Sequence, residues 1–511
     1  MRLDSWRANS LGLAHVLERA CSQSPDATAL IFRGQNTSYG ELVEKVRRCA
    51  GGLAKLGVKR GDRFGLMTRN CPEFVILWYA LVRLGAIAVP VNFLLRTSEV
   101  EYIFEHCEAV GAVVQPAYLE TVTEATKVLP GFIRVVIGEV EAGNGAVTFD
   151  SLLDEDPHGE PDSFADDIAC FLYTSGTTGK PKGVMLSHRN LLANVDSCSQ
   201  VLDIRQDDVF MCLLPMFHTF ALTTCVLLPL CAGRPTVVVE SIQPFKEVAT
   251  QLIKHKCTLF IAVPPIFAAM ARMPFWKPLH RFIPLRLCVS GAAALPRGVQ
   301  ESYEGKFGIS LLEGYGLTEA SPVVCINPIY GEHRPGTVGT AIPGVEVTIQ
   351  YEDGRPTRLG DVGEVCVRGE NVMVGYYRDD NATREAIDED GWLHTEDLGR
   401  MHEDGYIEIV DRAKDMIIVK GLNVYSREVE DVLLLHPAVS EAAVVGLPND
   451  VGDELIKAFI VLKEGKSATK NELFELCREH LAPYKMPRDI IFTSILPKNA
   501  IGKVLKRELR A

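Results

Sequence analysis

The segment Tyr173-Thr174-Ser175-Gly176-Thr177-Thr178-Gly179-Lys180-Pro181-Lys182-Gly183 constrains this chain more than any other stretch. It follows an apolar run at 168–172 and leads into Val184-Met185-Leu186-Ser187-His188. Its three glycines allow tight turns whose backbone N–H groups face an anion. Its hydroxyl side chains add donors and its lysines add positive charge, which is what a loop closing over a triphosphate needs. It is not a Walker A loop: Gly176 and Gly179 have only two residues between them, and Pro181 follows the lysine where Ser or Thr would stand.

Such a loop needs a rigid scaffold, and the surrounding pattern supplies one. A helical stretch at 11–21 precedes a strand-like run at 64–68. An apolar helix at 72–84 has Pro72 in its first turn, and strand-like runs follow at 86–91 and 110–114. This alternation points to α/β layers around mostly parallel sheets. The stretch 360–369 (GDVGEVCVRG) adds a β-rich part. After Gly405 the texture changes. Residues 406–410 alternate as a strand, Asp411-Arg412-Ala413-Lys414-Asp415 is a charged turn, and about a hundred residues follow with their own pattern. That pattern is a helix at 426–435, strands at 441–445 and 458–463, and a helix at 470–480. The expected fold class is α/β, with a large multi-layer N-terminal domain (1–413) carrying a β-rich subdomain and a small mobile α+β C-terminal domain (414–511).

At 511 residues the chain is too long for one compact core. Its net charge of −13 argues against nucleic-acid binding. The residues from Asp415 onward balance their charges, so the excess acid lies before them. The 14 cysteines include no C-x-x-C pair, and the N-terminus has no apolar signal region, so a reduced, cytoplasmic setting is expected. Residues 209–233 carry no Asp, Glu, Lys or Arg. Pro215, His218 and Pro229 break this run, so it reads as a buried strand, a turn and a core helix, not a membrane span. Contact with a membrane surface stays open, and nothing in the sequence speaks to oligomeric state.

With these residues in view, the chain resembles the superfamily of adenylate-forming enzymes, and within it AMP-dependent acyl-CoA synthetases. The resemblance runs nearly the whole length, in order. Ser290-Gly291-Ala292-Ala293-Ala294 resembles the adenine wall, and Gly314-Tyr315-Gly316-Leu317-Thr318-Glu319 the nucleotide and magnesium motif. Trp392-Leu393-His394-Thr395-Glu396-Asp397 resembles the ribose motif, and Asp411-Arg412-Ala413-Lys414-Asp415 the hinge. Pro497-Lys498-Asn499-Ala500-Ile501-Gly502-Lys503 resembles the catalytic-lysine loop.

The resemblance implies ATP, Mg²⁺ and coenzyme A as cofactor and substrates, and a carboxylic acid activated as an acyl-adenylate. A carboxylate attacking a phosphate brings two anions together, so cations must neutralise the growing charge. Lys503, Glu319 and Thr318 are the implied catalytic residues. Thr174, Ser175, Gly176, Thr177, Thr178, Gly179, Lys182, Gly291, Ala292, Ala293, Tyr315, Thr318, Asp397 and Arg412 would hold the nucleotide. Glu319 and Thr174 would ligate the metal, since Mg²⁺ prefers oxygen. Lys414 would be the hinge. Gly421 would let the coenzyme A thiol approach, and Phe217, His218 and Phe220 would line the acyl pocket.

Two positions depart from the family pattern. Glu396 stands where many relatives have glycine, and Ile418 where some have a second lysine, a role that is then absent or moves to Lys420. The apolar segment 214–230 is similar to that of fatty-acyl ligases, so a medium- to long-chain fatty acid is the expected substrate. An aryl acid such as coumarate or benzoate, or a separate carrier protein as acceptor, remains as an alternative.

Overall fold

The computed structural model describes residues 10–139, 145–174, 180–273, 284–419, 422–448, 454–500 and 502–510. Two large sheets carry the first three hundred and forty residues. In the first, the strands run Gly375–Tyr376, Lys182–Ser187, Ile168–Thr174, Ile87–Pro90, Arg63–Met67, Ala109–Val114, Ile133–Val136 and Val147–Thr148 from edge to edge. Pairing is parallel from Ile168–Thr174 onward and antiparallel at the other edge. Thr174 stands opposite Lys182 in this antiparallel pair, so the phosphate-type loop leaves and re-enters the sheet between neighbouring strands.

The second sheet sets Leu259–Ala262, Leu287–Ser290 and Leu311–Gly316 side by side in parallel, with Ser290 opposite Glu313. Segments 291–293 and 317–319 therefore leave the sheet at the same end. Carboxyl ends of parallel strands are where α/β folds gather their ligands. Against Arg63–Met67 and Ile87–Pro90 of the first sheet packs Pro72–Arg83, buried from Phe74 to Arg83, with Pro72 at its first turn. The helices expected at 11–21 and 72–84 are Leu13–Gln23 and Pro72–Arg83.

The charge-free segment differs in detail from its sequence reading. Its strand is Phe210–Cys212 and stops before Leu213-Leu214-Pro215. There the side chain of Asn70 takes over the backbone. Its amide donates to Leu214 O (2.9 Å) and its oxygen accepts from Met216 N (2.8 Å). The helix that follows runs Thr219–Ala221, Leu222–Leu227 and Leu228–Cys231, and its middle portion is a π-helix. Within the described residues, no helix is long and apolar enough to cross a membrane.

A third sheet, antiparallel, holds Val345–Gln350, Gly363–Gly369, Leu393–Met401 and Ile407–Arg412. Beyond it the chain forms a short hairpin (Ile417–Val419, Leu422–Val424). A three-stranded sheet (Val439–Pro448, Glu454–Leu462, Asp489–Phe492) and the helices Ser426–Leu434 and Lys470–His480 complete this part. These elements share a core of their own, including Val424, Val429, Leu433, Val444, Ile460 and Leu473. The chain thus has a large N-terminal and a smaller C-terminal domain, as the change of texture implies. All fourteen cysteines are unpaired. Cys21 is partly exposed and the others are buried, with Cys477 in the small core.

Candidate active site

Several of the expected site residues come together around the Asp397–Arg412 pair. Tyr315 ends the strand Leu311–Gly316, and its hydroxyl donates to Asp397 Oδ2 (2.7 Å). Asp397 and Arg412 are cross-strand partners in the third sheet, and Arg412 Nε lies 3.1 Å from Asp397 Oδ1. Strand register alone therefore delivers a carboxylate and a guanidinium to the same place.

Asp397 is aimed by a distortion just before it. Glu396 has a φ of +58°, in the left-handed region that favours glycine. Glu364 braces this kink: Oε1 accepts from Glu396 N (2.9 Å), and Oε2 lies 2.9 Å from His394 Nδ1. The Glu396 side chain reaches toward Lys414, with Oε2 4.0 Å from Nζ.

Thr318 and Glu319 sit on a 3₁₀ turn, Thr318–Ala320. Thr219 Oγ1 donates to Thr318 Oγ1 (3.2 Å), joining the start of the apolar helix to the nucleotide motif. Glu319 Oε1 accepts from the Tyr376 hydroxyl (3.1 Å). Burial raises the Glu319 carboxyl above its ordinary range, so the site holds a carboxylate short of positive charge. Lys182 Nζ lies 4.9 Å from the centre of the Tyr376 ring, and Thr174 pairs with Lys182. Ser175, Gly176, Thr177, Thr178 and Gly179 lie outside the described residues. At the far end of their loop the Tyr102 hydroxyl donates to Pro181 O (3.1 Å), and Lys180 Nζ sits 5.3 Å from the Tyr102 ring centre.

Lys503 reaches the cleft from the small domain. Its loop is pinned by a bridge between Lys498 and Val504, by Lys503 N donating to Asn499 Oδ1 (2.9 Å), and by Gly502 at φ +82°. A Cβ at Gly502 would lie 3.6 Å from Pro265 Cγ of the large domain. Burial, and then the charge of Arg412, pull the Lys503 ammonium down to about 8, with Asp397 acting against them. His218 feels the same ammonium: it is pushed down to about 4 by burial and then by the charge of Lys503. The imidazole is therefore neutral at physiological pH, and its Nδ1 accepts from Phe220 N (3.3 Å).

The acyl-pocket residues divide. The Phe220 ring lies on the adenine-wall segment, where a Cβ at Gly291 would come within 2.8 Å of Phe220 Cζ. Ala292, next along, has a φ of +64°. Phe217 packs edge-on to Phe93 (5.5 Å between centres), which stacks on Tyr118, so it is not brought onto Gly291 with Phe220. Lys414 occupies the 3₁₀ turn Ala413–Asp415. Gly421 and Lys420 lie outside the described residues. Ile418 is exposed, and its N–H donates to Glu454 Oε2 (2.7 Å).

Sequence reasoning missed Tyr376, Tyr102 and Glu364. Each acts through a contact distant in sequence, and a lone tyrosine or a strand glutamate carries no local signature of it.

Comparisons with known proteins bear on this cleft. The family described as AMP-binding enzyme matches residues 17–377, and the AMP-binding enzyme C-terminal domain matches 428–503. The chain is 34% identical to the long-chain-fatty-acid–CoA ligase of Salmonella typhimurium, covering 98% of this chain and 94% of that one. It is 36% identical to 4-coumarate–CoA ligase 3 of Oryza sativa, covering 94% and 87%. The crystal structure of ATP-bound MatB from Rhodopseudomonas palustris superimposes with a TM-score of 0.89 at 31% identity, over 97% of this chain and 98% of that one.

Proposed function

The chain belongs to the AMP-binding enzyme family and is an AMP-forming acyl-CoA ligase, and on that premise we propose that it activates a medium- to long-chain fatty acid at the cleft around Lys503. What supports the site is that the Lys503 loop is seated near Pro265 of the large domain, where the Lys503 ammonium and the Arg412, Asp397 and His218 side chains influence one another electrostatically. One ammonium from the small domain reaches the point where acid, α-phosphate and ribose would meet.

In this reading Asp397 accepts from the ribose hydroxyls, with Tyr315 and Arg412 holding its carboxylate in place. The Tyr315 ring and the 291–293 backbone flank adenine. Thr318 donates to the α-phosphate, and the loop of Thr174 to Lys182 wraps the β- and γ-phosphates. Glu319 fits a resident Mg²⁺: it is a hard oxygen donor whose charge burial leaves under-compensated, with Thr174 as its partner ligand. Bound there, Mg²⁺ supplies Lewis-acid neutralisation of the triphosphate. The acid's carboxylate attacks the α-phosphorus and pyrophosphate leaves. Lys503 stabilises the charge on both reacting anions, while neutral His218 packs at the carboxylate without adding a competing charge.

For the second step we place the domain boundary at 413/414. A rotation about Lys414 withdraws Lys503 and brings the segment of Gly421 to the adenylate. The coenzyme A thiol then attacks the acyl carbonyl and AMP departs. The unpaired cysteines suit a reducing, cytoplasmic setting.

The fatty acid is supported by the apolar helix beyond His218, which carries no charged residue for a polar substrate to meet. A flat aryl acid is the second reading, favoured by the Phe220 ring lying against Gly291 and shortening the path. A panel of acids, assayed for pyrophosphate release with and without coenzyme A, separates the two. A buried methylene contributes about 0.8 kcal/mol, so kcat/KM for a fatty-acid enzyme rises roughly fourfold per carbon until the tunnel fills. Preference for coumarate or benzoate over octanoate and longer acids rejects the fatty reading. ADP as the product rejects the reaction type.

A further inference from the structure

Helix Ser426–Leu434 of the small domain begins without a cap of its own: Tyr425, at the N-cap position, offers no side-chain acceptor. Its first N–H groups are satisfied from across the hinge. Asp411 lies on the large-domain strand Ile407–Arg412, ahead of Lys414, and its Oδ2 accepts from Ser426 N, from Ser426 Oγ (2.8 Å) and from Arg427 N (3.3 Å). Its other oxygen accepts from Arg412 N (2.8 Å), the residue that faces Asp397.

The network continues into the segment that bears Lys503. Ser426 Oγ, while donating to Asp411, accepts from Lys506 Nζ (2.6 Å), and the same ammonium lies 2.7 Å from Glu430 Oε1 on that helix. Ser426 is fully buried and Asp411 nearly so. Arg427 Nη1 donates back to Ile409 O (2.7 Å), and Arg510 Nη2 to Asp415 Oδ1 (2.8 Å). A rotation of the small domain about Lys414 would carry Ser426, Arg427 and Lys506 away from Asp411. It would break every bond to that carboxylate except the one from Arg412 and leave the helix start uncapped.

We propose that Asp411, Ser426 and Lys506 form a polar latch across the hinge, closed only in the adenylating arrangement, that positions Lys503 over the α-phosphate. The inference rests on the domain alternation proposed above and extends it: Lys503 is held by a second contact between domains, not by its own loop alone. The latch residues touch no substrate; they act by populating the closed arrangement.

Ser426→Pro is the decisive variant. Proline is at home in the first position of a helix, where its missing N–H leaves no intrahelical bond unmade. Tyr425, at φ −83° and ψ 121°, already has the extended backbone that a residue before proline requires. The substitution therefore spares the helix and deletes both Ser426 donors to Asp411. Single-turnover adenylation, read as pyrophosphate release without coenzyme A, is expected to fall about tenfold, in line with losing hydrogen bonds to a charged group. Acyl-CoA formation from pre-formed acyl-adenylate is expected to be unchanged or faster. Ser426→Ala, which keeps the N–H, should fall between wild type and Ser426→Pro, and it carries the test if the proline variant does not fold.

Lys503→Ala serves as the control. If it separates the two half-reactions while Ser426→Pro leaves adenylation intact or slows both steps equally, the latch is wrong and the alternation stands. If Lys503→Ala slows both steps equally, the alternation itself falls and the latch falls with it.

Discussion

At the scale of single residues, the chemistry follows from what burial does to charge. Lys503 has a folded value of about 8 against an ordinary 10.5, so the closed arrangement is penalised while the ammonium is charged. That penalty is full below about 8 and fades as pH rises from there toward the ordinary 10.5, but the cation needed for adenylation is lost over the same rise. Because kcat/KM reports the free enzyme, its value for ATP should fall above about pH 8 in a pyrophosphate-release profile. Lys503→Arg should move that limb beyond the lysine range, since a guanidinium does not deprotonate there. A limb unchanged by this substitution would assign it to another group. Glu396 makes a second case. Its left-handed φ stores strain that glycine would not feel, so Glu396→Gly should stabilise the large domain by about 1 kcal/mol in a thermal melt. A loss of stability would mean that its approach to Lys414 outweighs the strain. Position 396 stands out only through the family resemblance, in which many relatives have glycine there. The sequence does not reveal the bracing by Glu364, whose reach depends on strand register.

At the scale of elements, periodicity and punctuation were legible where a segment makes its own hydrogen bonds. Pro72 opens its helix and 470–480 is a helix to the residue, because caps and apolar spacing are local. The segment 209–233 was legible only in part. Its burial and its helix follow from composition, whereas the strand ends early because Asn70, far away in sequence, satisfies its backbone. The π-helix at Leu222–Leu227 has no signature in a charge-free run. In the proposed reading this element governs substrate size. Phe220, at its start, covers Gly291, so the two positions should act reciprocally. Phe220→Ala should shift the best acid toward longer chains, and Gly291→Ala, whose methyl must displace the ring, toward shorter ones. Relative kcat/KM across the acid panel measures both shifts; the same profile in both variants would place the acyl group elsewhere.

At the scale of the whole molecule, a motif order readable along the chain becomes a meeting of two domains. The sequence could assign Lys503 to the small domain and Asp397 to the large one, but only the folded chain brings the charge of one to bear on the other. Lys503→Ala should slow adenylation by roughly a hundred- to a thousandfold, as for a lost oxyanion donor, and spare thioester formation from pre-formed acyl-adenylate. Rapid-quench measurement of each half-reaction decides this, and equal impairment of both would reduce Lys503 to a general binding residue. The cysteines offer a separate handle on the same two-domain construction. In the native state only Cys21 is partly open to solvent, and Cys477 belongs to the small core while the remainder lie in the large domain. A thiol-reactive label applied in brief pulses during denaturation therefore works as a pair of clocks. Modification at Cys477 times the opening of the small domain, and modification at the others times that of the large one. Mass spectrometry of the labelled peptides can then tell whether the moving part unfolds on its own or only with the body that carries it.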